Sequence, residues 1–265
     1  MLKSLPNTVY ISGCSNSHFH YLDSYKDSWT NQLGFSKVYN HGICGSSNDF
    51  IARRAIDFCS RHKPELAIIQ WTQLPRWETI GSPKGSGDFY FEDHTYPEFN
   101  YLNAEIQKNI KPFKWSQQFK PDFYASVPYG NWLTENKHKA FVTIEDATTS
   151  LFGLIKNAYI LQNYFKENNQ PYLFVNGGDW LHSQQFDYPG EFGSWYPLDF
   201  IETVTDGPIT TIQPLASKID KTFWPNINII ENIVDKGSDG RHPGKQTNIN
   251  FAKLVKEKIN VGNRK

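Results

Sequence analysis

Short runs of β-branched and aromatic residues recur through the first seventy positions, each halted by small or polar residues. Thr8-Val9-Tyr10-Ile11 stops at Ser12-Gly13, Lys37-Val38-Tyr39-Asn40 stops at Gly42, and Leu66-Ala67-Ile68-Ile69-Gln70-Trp71 is the third run. Their starts lie about 29 residues apart, the length of a strand and a crossover helix leading to the next strand. Between them, Leu22, Tyr25, Trp29 and Leu33 recur at helical spacing, as do Ile51, Ala55 and Phe58. Strands this apolar belong in a sheet covered on both faces. The pattern predicts a parallel α/β domain.

After Trp77 the rhythm is lost. Gly81 to Gly87 has loop composition, and positions 86 to 133 hold thirteen Phe, Tyr or Trp. This reads as an aromatic-rich insertion at about 79–143 within one domain spanning 1–265. A helix is expected over 146–166, with Leu151, Leu154, Ile155, Ala158 and Tyr159 on one stripe. Pro171 to Asn176 forms a fourth strand ending at Gly177-Gly178. A second irregular region covers about 179–235, where either Ile209–Ile212 or Ile227–Ile230 supplies a fifth strand. The last helix is expected from Lys245 to Ile259.

Composition narrows the function. Lys+Arg and Asp+Glu are both 27, and a neutral chain lacks the basic face that sequence-independent nucleic-acid binding requires. At 15% aromatic and 20% charged residues the chain is built to fold rather than to stay disordered. No run approaches a membrane span, and the N-terminus lacks a secretory h-region. A soluble, cytoplasmic or virion-associated protein is the expectation, with no membrane or nucleic-acid partner. Cys14, Cys44 and Cys59 fit neither a disulfide framework nor a zinc module, and read as small buried hydrophobes in a reducing compartment.

In open parallel sheets, ligands sit outside the carboxyl ends of the strands. Those ends carry Gly13-Cys14-Ser15-Asn16-Ser17, then Asn40 to Asp49, then Gln70-Trp71-Thr72-Gln73; Asp239-Gly240-Arg241-His242-Pro243 precedes the last helix. In order along the chain, this set resembles the SGNH (GDSL-type) hydrolase superfamily. Gly13-Cys14-Ser15 is similar to the family's Gly-Asp-Ser block, Asn40 to Gly45 to its second, glycine-containing turn, and Asp239 to Pro243 to its Asp-x-x-His-Pro block. The match frames residues 8–73 and 239–259, and the resemblance implies a three-layer α/β/α, flavodoxin-like parallel sheet carrying the aromatic-rich insertion. Cys14 departs from the family's Asp, and the third block, Gly-x-Asn-Asp, is missing. Thr72 falls near that block's oxyanion Asn, and Asn48 is the available substitute. The variant motifs resemble a divergent branch associated with viral and bacterial genomes.

Elementary chemistry reads the same residues alike. A serine hydroxyl needs a base, a histidine serves near neutral pH, and an Asp three residues earlier can fix its tautomer. Ser15 is expected to attack an acyl carbonyl, with His242 as base and Asp239 orienting His242. Ser15 is further expected at a helix start, where its backbone N–H and that of Gly45, helped by Asn48 or Thr72, would hold the oxyanion. Trp71 and Arg76 are expected beside the substrate; an exposed Arg76–Glu78 ion pair is the competing reading. His18, His20, His41 and Asp49 are read as lining or solvent-facing residues, not a metal set. Gly81, Gly85 and Gly87 lack the Gly-Lys-Ser/Thr ending of a phosphate loop.

The expected activity is hydrolysis of a small-molecule or glycan acyl ester, an O-acetyl group being one case, with no cofactor. The insertion's rings, and Phe186, Tyr188, Phe192, Trp195 and Tyr196, serve either as a small core or as a glycan-stacking wall. Two alternatives stand beside it. One is a catalytically silent glycan-recognition or viral structural module, favoured by the missing Asn. The other is an O-acyltransferase, which would need water excluded from the site.

Overall fold

The computed structural model describes residues 6–19, 21–42, 46–74, 76–80, 124–128, 147–178 and 212–262. Four parallel strands make the main sheet: β1 (Thr8–Gly13), β2 (Lys37–Gly42), β3 (Leu66–Trp71) and β6 (Tyr172–Asn176), in the order β2-β1-β3-β6. A separate antiparallel pair joins β4 (Arg76–Ile80), which straddles the start of the expected insertion, to β5 (Tyr124–Pro128), which lies within it. The remaining insertion residues lie outside the described set, as do Phe186 to Tyr196.

Strand alternation sorts the core into two layers. Tyr10, Tyr39, Ala67, Ile69, Trp71, Tyr172 and Phe174 face α2 (Asn48–His62) and α3 (Ala147–Glu167). Val9, Ile11, Val38, Ile68, Leu173 and Val175 face Trp29, Leu33, Phe251, Val255 and Ile259. Those last residues belong to α1 (Trp29–Gln32), its C-terminal edge, and the final helix. With a short α4 at Gln213–Ala216, that final helix, Lys245–Gly262, is α5. A β1 strand with neighbours reached by crossovers in opposite directions creates a crevice beyond its carboxyl end.

Local chemistry sets the boundaries. Ser47 caps α2 by accepting from the Phe50 N–H at 3.1 Å, and Lys63 closes it in a left-handed conformation at φ 44°, a cap worth about 1 kcal/mol. Of the two fifth-strand options, the second lies beside β6. The Asn176 N–H donates to Ile227 and Asn176 accepts from Ile229, but the pairing is a single parallel bridge at Asn228, not a full strand. Ile212 lies in a turn before α4, and 209–211 lie outside the described residues.

One helix expectation is corrected. Leu22, Tyr25, Trp29 and Leu33 do not share a continuous helix; a 3₁₀ turn at Tyr25–Asp27 is followed by the four-residue α1. Ser24 and Ser28 each cap their own turn, and Ser28 is extended (φ −67°, ψ 143°), which breaks the ladder between them. The apolar spacing records burial against α5, not helical continuity. Among the described residues no helix is long and apolar enough to cross a membrane.

Candidate active site

Ser15 lies two residues past the end of β1, in a turn and not at a helix start, which corrects the sequence expectation. Ser17 donates its N–H to the Cys14 carbonyl at 3.0 Å, and His18 donates to Ser15 at 3.2 Å. Three neighbours hold this turn down. Ser17 Oγ donates to Gln70 Oε1 at 2.5 Å, Asn40 Nδ2 donates to the Ser17 carbonyl at 2.7 Å, and Asn16 Nδ2 donates to the Gly177 carbonyl. The packing permits only glycine nearby: a Cβ at Gly13 would lie 2.2 Å from Ser17 Oγ, and one at Gly177 would lie 2.4 Å from Gln70 Cδ. Ser15 is left 7% exposed. A buried polar set of this kind stiffens a turn because each member is costly to leave unpaired.

The second component is the loop entering α5. Asp235 caps that helix from outside, accepting from the N–H of Gln246 (2.9 Å) and Thr247 (2.8 Å) and from Thr247 Oγ1 (2.6 Å). These donors hold the Asp235 carboxyl below its ordinary range despite the opposing effect of burial. Across the loop's neck, Gly237 donates to the His242 carbonyl at 2.8 Å and Gly244 donates to Asp235 at 2.9 Å. Asn248, buried, donates to the carbonyls of Pro243 (3.1 Å) and Gly244 (2.8 Å) while accepting from the Trp29 N–H at 2.9 Å. The loop is thereby tied to both α1 and α5.

These supports bring three side chains into line. His242 Nε2 lies 2.9 Å from Ser15 Oγ, and His242 Nδ1 lies 2.6 Å from Asp239 Oδ2. Asp239 Oδ1 accepts from the backbone N–H of Arg241 and of His242, both at 3.0 Å. Desolvation pushes the Asp239 carboxyl up, but those two N–H groups and the His242 imidazole outweigh it and hold it at about 2. Asp239 is therefore an anion throughout the neutral range. Its charge and position favour a proton on His242 Nδ1, leaving Nε2 to accept from the Ser15 hydroxyl.

The other expected residues fall differently. Asn48 brackets the end of β3: its Oδ1 accepts from the Thr72 N–H at 2.9 Å and its Nδ2 donates to the Thr72 carbonyl at 3.3 Å. Both residues are buried. Gly45 lies outside the described residues, as do Cys44 and His20. Trp71 is corrected from a substrate contact to a core residue, fully buried against Phe174 (5.2 Å) and Trp224 (6.2 Å). For Arg76 and Glu78 only the strand backbone is described. His41 is buried edge-on to Tyr10 and Phe58; burial first, then the Arg54 charge, lowers its pKa to about 3. Asp49 accepts from Asn157 at 2.9 Å, and His18 stacks on Phe19. Among the described residues no three ligating side chains gather as a metal site. Cys14 and Cys59 are buried free thiols, and burial pushes Cys59 up to about 12.

Sequence reasoning placed Asn40 and Gln70 at strand ends but did not find their hydrogen bonds to Ser17, and it did not find Asn248. The available signal was polar residues lodged inside apolar runs, such as Gln70 in Leu66–Trp71.

No protein-family model and no curated protein matches the chain. Solved structures that resemble it include a putative lipolytic protein of the G-D-S-L family from Desulfitobacterium hafniense, 11% identical with 95% of this chain and 99% of that one covered, at a TM-score of 0.43. Esterase EstA from Pseudoalteromonas sp. is 11% identical, with 98% of this chain and 100% of that one covered and a TM-score of 0.45. A carbohydrate acetylesterase family member from Sinorhizobium meliloti gives the same identity, coverage and TM-score. TesA is 13% identical over 95% of this chain and 97% of its own, at a TM-score of 0.46.

Proposed function

We propose that this protein is a serine esterase that hydrolyses acyl esters, O-acetyl groups on carbohydrates among them. The observation that carries the reading is the unbroken line from Ser15 Oγ through His242 to Asp239, at 2.9 and 2.6 Å. Both distances lie within the reach needed for proton transfer and tautomer control.

As Ser15 Oγ bonds to the ester carbonyl carbon, His242 Nε2 takes the hydroxyl proton. The carbonyl oxygen becomes an oxyanion, held by the backbone N–H of Ser15 and Gly45. Asn48 assists with the amide hydrogen not engaged with Thr72, an amide having two to donate. Collapse breaks the bond to the alcohol, which leaves with the proton from His242, and the acyl group stays on Ser15. Water then attacks that acyl carbon, giving its proton to His242. Release of the acid returns the proton to Ser15. Asp239 stays ionised throughout and stabilises each imidazolium.

The test is turnover of p-nitrophenyl acetate and of acetylated oligosaccharides, compared with a folded Ser15→Ala variant. The proposal expects both substrates to be cleaved and the variant to be inert. Equal rates in the two proteins would refute it and favour the silent recognition module.

A further inference from the structure

Tyr21 meets the acid–base loop at two points. Its ring lies parallel to the His242 imidazole, with centroids 3.7 Å apart and planes within 9°. Its carbonyl accepts from Ser238, at 3.0 Å from the backbone N–H and 3.3 Å from Oγ. Gly237 lies so close that an added Cβ would sit 2.5 Å from that carbonyl oxygen and 3.1 Å from Tyr21 Cβ. The catalytic proposal uses none of these contacts.

Tyr21 belongs to the segment that carries Ser15, six residues further along the chain. The loop bearing Asp239 and His242 is therefore clamped to the nucleophile's own stretch of backbone. In-plane bonds from Nδ1 and Nε2 direct the imidazole toward its partners but leave rocking about the line joining them. A ring lying flat against one face opposes that motion. When His242 is protonated, the same face presents its negative quadrupole to the cation, within the roughly 6 Å over which such attraction acts.

We propose that Tyr21 is a positioning residue, whose ring fixes the plane of His242 during turnover. The catalytic consequence rests on the esterase reading; the positional one does not. A mispositioned base is costly, since displacement by about 1 Å can lower rates by about 10²-fold.

The test compares Tyr21→Phe, which keeps the ring, with Tyr21→Leu, which removes it. Tyr21→Gln is a second non-aromatic variant should leucine impair folding. Two readouts are needed. With p-nitrophenyl acetate, Tyr21→Leu should lose about tenfold in kcat with KM within about twofold, whereas Tyr21→Phe should stay within about twofold of wild type in both. Independently of activity, proton NMR should show the low-field His242 Nδ1–H signal expected from its 2.6 Å contact with Asp239. That signal should persist in Tyr21→Phe and broaden or vanish in the non-aromatic variants. An unchanged signal in folded Tyr21→Leu or Tyr21→Gln would overturn the proposal, as would an equal kcat loss in Tyr21→Phe. If wild type cleaves no ester, the esterase reading fails, and the NMR comparison still decides whether Tyr21 holds the imidazole.

Discussion

The two halves of the candidate site are built by different means. The Ser15 turn is buried and held by residues far away in sequence: Asn40 from β2, Gln70 from β3 and Gly177 after β6. The Asp239–His242 loop is partly open, each side chain being 25% exposed. Most of its geometry comes from bonds spanning fewer than about fifteen residues. The nucleophile is thus placed by the fold, and the base by a local hairpin resting on a helix N-terminus. Damage to the first half should cost stability and activity together; damage to the second should cost mainly activity.

The largest expected effect tests the shared chemistry. Ser15→Ala and His242→Ala should each lower kcat for an activated ester by about 10³-fold or more, and the double variant should lose little beyond either alone. Additive losses would show that the two residues do not act as a unit. Next, Asp239→Asn should lower kcat by about 10²–10⁴-fold through the wrong imidazole tautomer, and should lower the thermal midpoint at neutral pH modestly, because the native state stabilises the ionised Asp239 carboxyl.

Gln70→Ala should behave oppositely. Loss of a fully buried side chain and of the Ser17 bond should cost about 2–3 kcal/mol of stability in denaturant titration. Its effect on kcat should be smaller than that of Asp239→Asn. If Gln70→Ala leaves stability intact, the account of the nucleophile turn is wrong.

A smaller effect appears in acid. The Asp239 carboxyl is at about 2 in the folded protein, below its ordinary 3.8. Its contribution to stability is therefore present above pH 4 and is lost as pH falls through about 2. Thermal midpoints measured from pH 5 to pH 2 should fall less steeply for Asp239→Asn than for wild type. The smallest effect belongs to the Lys245–Asp27 pair at 3.0 Å, whose lysine is exposed; Lys245→Ala should change stability by less than about 1 kcal/mol.

The same contrast explains what was legible in the sequence. The strands of the main sheet and the long helices α2, α3 and α5 carry clear apolar periodicities, so their places are readable in the sequence. Ser15, Asp239 and His242 were readable because a short loop motif fixes its own spacing. The supports of the nucleophile turn were not, because Asn40 and Gln70 meet Ser17 only once three strands have paired. Periodicity also misled between residues 22 and 33, where serine caps divide two turns that bury one continuous stripe. Trp71 was assigned by its position at a strand end, but strand alternation points its ring into the core.

The most direct test of the central claim is covalent labelling of the protein with diethyl p-nitrophenyl phosphate, followed by peptide mass spectrometry. The account predicts one adduct, on Ser15, absent in Ser15→Ala and formed far more slowly in His242→Ala. A folded protein left unlabelled, or one labelled equally in Ser15→Ala, would contradict it.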